Sequence, residues 1–168
     1  RDATLKSRLL MAHWTAAESL AQLGKHEESV ADWDAALELA PADRRVLLRL
    51  GRVEAQARLG KYAEASAEAS ALIPATKGAG EPSYRLAAVF ALAGASAAKD
   101  SSLIPGERDR LSRKNAASAI SLLEQARAAG HFQPAAQRKT LRQDPSFHSL
   151  QAMPEFQRLL ERIEANQP

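Results

Sequence analysis

The chain has 168 residues, 45% of them hydrophobic and 26% charged, which is enough apolar material for one domain with a core and too much for a disordered segment. It carries no cysteine, which excludes disulfides and thiolate metal sites, and only 5% aromatics in an Ala- and Leu-rich background, which favours helices over strands. Its formal charge of +3 divides into 13 basic and 13 acidic side chains in residues 1–100 and 10 and 7 in residues 101–168, too thin an excess for a nucleic-acid-binding face. No apolar run approaches the ~20 residues that span a bilayer, and no signal-peptide core is present. The expectation is an all-α chain without membrane insertion, cytoplasmic, and cut from something longer, since it begins at Arg1 rather than Met.

In chain order, the first helix is expected over 3–23, with Leu9, Leu10, His13, Ala16, Ala17, Leu20 and Leu23 on one stripe. Ala16 and Ala17 are small enough to let another helix approach. The second helix, 26–39, places Val30, Trp33, Ala36 and Leu37 at three- and four-residue spacing, and Pro41 stops it. Between the two lies Leu23-Gly24-Lys25, and the same phrase returns at Leu59-Gly60-Lys61, 36 residues on. A fixed step of that size marks an array of supersecondary units, and each Gly reads as a left-handed cap between antiparallel helices.

A small residue at Ser29, an aromatic at Trp33, Ala36 and then Pro41 resemble the second half of a tetratricopeptide (TPR) repeat, with Leu20 where that family's first helix often carries an aromatic. The resemblance implies helical hairpins stacked into a right-handed array, with Trp33 as a knob between neighbouring hairpins. For the third helix, 42–59, the family's usual 34-residue step puts Leu47, Leu50, Gly51 and Val53 on the packing positions. A step counted from Gly60 would put Arg49 and Arg52 there, a costly burial. The first register is preferred, and it turns Arg45, Arg49, Arg52 and Gln56 into a stripe on the groove side. The fourth helix, 62–73, offers Ala65, Ala69 and Leu72 and is expected to end at Pro74, with 75–82 as a loop. Its Gly78-Ala79-Gly80 is too short and wrongly placed to cradle phosphate.

A third repeat opens at 83–94, where Leu86, Ala87 and Phe90 match the first-helix positions. Ala119, Leu123 and Ala126 match its second helix if 95–113 is an insertion, within a long helix from about 107 to 129 that Pro105 opens and Gly130 closes. The repeats thus cover 9–43, 44–77 and 81–130. The remainder, 131–168, reads as a cap: a short helix at 134–141, a turn at 144–150 and an amphipathic helix at 154–165, with Phe147, Leu150 and Phe156 to plug the open end. From Tyr84 to Ile163 the pattern resembles the C-terminal TPR region of bacterial, planctomycete-type serine/threonine kinases, which implies a non-catalytic tail of a multidomain kinase.

Chemistry of other kinds is not expected. The histidines at 13, 26, 131 and 148 lack ligand spacing, so no metal is expected, and no cofactor motif is present. No Gly-rich loop, His-Arg-Asp or Asp-Phe-Gly of a kinase occurs, so the chain is not expected to be an enzyme by itself. The function expected is a protein-interaction module holding a peptide or partner helix, of acidic character if the arginines are used. The groove candidates are Met11, Trp14, Thr15, Glu18 and Gln22, then Arg45, Arg49, Arg52 and Gln56, then Tyr84, Arg85 and Ala88, with Trp14 or Tyr84 as anchors. The carboxylate clamp that some family members use is not expected, because Trp14, Glu18 and Glu81 stand in its places. The alternative is a structural spacer or self-association domain that pairs the attached catalytic domains.

Overall fold

The computed structural model describes residues 2–165, and all regular structure among them is helical. The helices are α1 (Asp2–Gln22), α2 (His26–Leu39), α3 (Ala42–Arg58), α4 (Tyr62–Thr76), α5 (Gly80–Lys99), α6 (Pro105–Ala128), α7 (Ala135–Gln143) and α8 (Pro154–Ala165), with a 3-10 turn over Pro145–Leu150 before α8. Each of α1 to α5 packs against the next, and α3 also touches both α1 and α5. The expected cap extends to 168, and its residues 166–168 lie outside the described residues.

The repeated glycine turn has the geometry its sequence demands. Gly24 and Gly60 adopt φ of 73° and 77°, where a Cβ would be strained. Each lets the following lysine N–H turn back onto its helix, Lys25 to the Leu20 carbonyl at 2.9 Å and Lys61 to that of Gln56 at 3.1 Å. The chain leaves each turn directly into the next antiparallel helix.

The step between the first two hairpins is 36 residues, not 34. His13 Nδ1 meets Asp32 Oδ1 at 2.7 Å between α1 and α2, and 36 residues on Arg49 Nε donates to Glu68 Oε1 at 2.9 Å between α3 and α4. Ala17 and Val53, Trp33 and Ala69, and Ala36 and Leu72 are buried at the same offset. The preferred register therefore gives way to the other one, and Arg49 and Arg52 occupy packing positions. Their burial is tolerable because carboxylates meet them: Arg52 donates to Asp34 on α2 at 2.8 Å and also to Glu68. Leu50, Gly51 and Val53 are buried as expected, but Leu47 is 41% exposed and Leu48 takes its place in the core.

Three further boundaries differ. Pro74 does not end α4, which continues to Thr76. A proline one turn from the end removes a single ladder bond, and its ring is exposed to solvent. The loop expected at 75–82 is only 77–79, because α5 starts at Gly80 with Pro82 in its first turn, where its missing N–H costs nothing. The insertion 95–113 is mostly helix, lengthening both arms of the third hairpin and leaving a turn at 100–104. Asp100 organises that turn, accepting from the Ser102 N–H at 2.9 Å and from Tyr62 Oη of α4 at 2.7 Å.

Two apolar clusters result. Leu10, Ala17, Trp33, Ala36, Leu48 and Ala55 join α1, α2 and α3, while a larger one runs from Leu50 and Val53 through α5 and α6 into the cap. Ala119, Leu123 and Ala126 lie fully buried against α5, as their spacing predicts. In the cap, Asp144 accepts from the Ser146 N–H at 2.9 Å and starts the 3-10 turn, which presents Phe147 and Leu150 to α5.

Candidate interaction groove

Counting by 36 residues also sorts the candidate site. On α1, Met11, Trp14, Glu18 and Gln22 share the face turned away from His13 and hence from α2. Their equivalents on α3 are Leu47, Leu50, Glu54 and Arg58. Glu18, Gln22, Glu54 and Arg58, with Arg85 of α5 and the edge of Trp33, line a groove of about 660 Å³ across α1, α3 and α5.

The charges in this groove are partly paired among themselves. Arg85 reaches across to α3 and binds Glu54 through two parallel bonds of 2.7 and 2.8 Å. Trp14 Nε1 donates to Glu18 Oε1 at 2.7 Å along α1, so its indole is half-buried over the first cluster rather than free. Thr15, Glu18, Gln22 and Met11 are exposed. His26 sits at the turn end of the groove, where burial and the neighbouring Arg58 charge hold its pKa below 6.5.

The arginine stripe is not part of this groove. Arg49 and Arg52 face the second helices and are engaged by Glu68 and Asp34, while Gln56 is half-buried on the same side and Arg45 is exposed beside them. Arg52→Ala is expected to cost about 1 kcal/mol, since it takes the partner from Glu68 Oε2 on a side chain only 15% exposed, while Arg49 still holds Oε1. Urea denaturation measures this, and an unchanged midpoint would show that the pair adds nothing.

Tyr84 belongs to the cap contact. Its hydroxyl donates to Asp144 Oδ2 at 2.7 Å, and its ring stands 5.5 Å from Phe147 and 5.1 Å from His131, centroid to centroid. Burial, then the Asp144 contact, pushes its pKa far up, so it stays a neutral donor. Ala88, on the same helix, is buried.

His131 is also held below 6.5 by burial, against a weaker opposing pull from Glu81. His26 and His131 therefore take up protons more readily in the unfolded chain. Their contribution to stability is complete above about pH 6.5 and falls as the pH drops below it. Thermal unfolding between neutral and mildly acidic pH should show this decline, and His131→Asn should flatten it.

Glu54, Arg58 and His26 are the groove residues that the sequence reading missed, the first two through the 34-residue register. The Gly24–Gly60 distance was the signal that finds them. Among the described residues no group of His, Asp and Glu side chains is placed to hold a metal ion, and no helix is long and apolar enough to cross a membrane. Compared with family models, with curated proteins and with solved structures, the chain matches none of them.

Proposed function

We propose that the chain is a TPR-type interaction module that holds a peptide or partner helix against α1, α3 and α5. The observation that carries this reading is the groove itself. It gathers charged side chains from three helices, and the exposed Met11 and Leu47 lie further along the same faces of α1 and α3. The 36-residue recurrence of the glycine turn and of the His13–Asp32 and Arg49–Glu68 contacts supports the repeat reading. The likeness of 84–163 to kinase tails supports a role as a non-catalytic part of a serine/threonine kinase.

The partner suggested by the groove differs from an acidic one. Arg49 and Arg52 are turned away and Arg85 is bound to Glu54, so the groove side offers Glu18, Glu54 and Glu81 against Arg58 and Arg85. A segment with Leu or Phe anchors next to Lys or Arg fits that surface.

Selection of a displayed library of short random peptides on the immobilised chain tests this. Enriched peptides should combine apolar and basic residues and should lose binding to Glu18→Lys and Leu47→Glu. Both positions are exposed, so the melting midpoint should hold. Enrichment that is equal on the variants, or absent altogether, overturns the groove.

A further inference from the structure

The groove changes sign along its length. α1 and α3 run in the same direction, because α2 reverses the chain between them. Glu18 and Glu54 therefore stand at one level of the groove, and Gln22 and Arg58 stand one helical turn on, about 6 Å nearer the glycine turns. The first level is acidic. Its cation, Arg85, is closed on Glu54 by bonds of 2.7 and 2.8 Å and also feels the charges of Glu81 and Glu18, so three carboxylates surround one guanidinium. Glu18 is exposed and accepts from Trp14 through Oε1 alone, which leaves Oε2 open.

The second level carries the opposite charge. Arg58 is exposed and enters no ion pair or hydrogen bond among the described residues, and Gln22, Gly24 and His26 line the groove around it. Burial first, and then the Arg58 charge, hold the His26 pKa below 6.5, so the imidazole is neutral at pH 7 and Arg58 alone sets the charge at this end. A purely basic partner would bring its cations onto Arg58, one turn from the carboxylates that attract them. A purely acidic partner would meet Glu18 and Glu54 in the same way.

We propose that the partner of this groove carries two opposite charges in fixed order, a Lys or Arg held at Glu18 and Glu54 and an Asp or Glu held by Arg58. This rests on the groove being the binding face and adds to it the second charge and its spacing. Two residues of an extended segment span about 7 Å, and four residues of a helix rise about 6 Å. The acid is thus two positions from the base in an extended partner and four in a helical one, so the spacing found reports the partner's conformation.

Parallel selection of one displayed random-peptide library on the wild-type chain and on Arg58→Glu tests this. Peptides enriched on the wild type should carry Asp or Glu two or four positions from Lys or Arg, and on Arg58→Glu a second base should replace that acid. For a peptide from the wild-type pool, Arg58→Glu should weaken binding about tenfold, and exchanging the peptide's acid for Lys should restore it on the variant. Arg58 is exposed, so the melting midpoint should hold. Arg58→Gln, which removes the charge without reversing it, should abolish the acidic preference and serves if Arg58→Glu disturbs the end of α3. Peptides that lose binding to Glu18→Lys but have the same composition on the wild type and both Arg58 variants keep the groove and overturn the second charge. Absence of enrichment on every chain overturns the groove and this proposal together.

Discussion

Trp33→Ala is expected to lower the unfolding free energy by about 3–5 kcal/mol, because it empties the centre of the cluster that joins α1, α2 and α3. Trp33 is 4% exposed, and its ring lies directly on Gly51, where a Cβ would come within 2.3 Å of Cζ2. Gly51→Ala should therefore destabilise the wild-type chain by about 1–3 kcal/mol through overpacking, although alanine by itself favours the helix by about 1 kcal/mol. In the Trp33→Ala background the clash is gone, and the same substitution should turn stabilising. Chemical denaturation of the two single variants and the double variant measures that reversal of sign. If Trp33→Ala leaves the midpoint where it was, or if Gly51→Ala acts identically in both backgrounds, the ring does not pack against α3.

This contact also shows what the sequence makes legible. Trp33 could be placed as a knob because Val30, Ala36 and Leu37 recur around it at helical spacing, and the helices themselves follow from Ala and Leu content, Pro41 and the two Leu-Gly-Lys turns. The groove was harder to read, since it depended on the register of one helix. Arg49 and Arg52 looked too expensive to bury, an argument that holds for an isolated cation and fails when Asp34 and Glu68 approach from α2 and α4. Those partners lie 16 to 19 residues away on other helices, so nothing local to α3 announces them. The glycine repeat carried the 36-residue step, and the chain kept to it. Pro74 misled for a similar reason: its helix-breaking effect depends on how many turns remain beyond it, and here α4 was already ending. Tyr84 reads from the sequence as a groove anchor, and its place in the cap contact depends on Asp144, 60 residues along the chain.

Phe147→Ala is expected to cost about 3–5 kcal/mol, and the loss should be local. The ring is fully buried between Tyr84 at 5.5 Å and Phe156 at 6.2 Å, so its removal opens a void between α5 and α8 and withdraws support from the Tyr84–Asp144 hydrogen bond. The 3-10 turn contacts α5 and α8 contacts α6, while α1 and α2 pack mainly on each other and against α3. In an array whose units touch only their neighbours, a defect at one end reaches the other only through the intervening interfaces. Hydrogen exchange of Phe147→Ala should accordingly show lost protection in α7, the 3-10 turn and α8, with the amides of α1 to α3 nearly unchanged. Equal loss of protection from α1 to α8 would mean that the long third hairpin couples the cap to the first cluster, so that the domain unfolds as one unit.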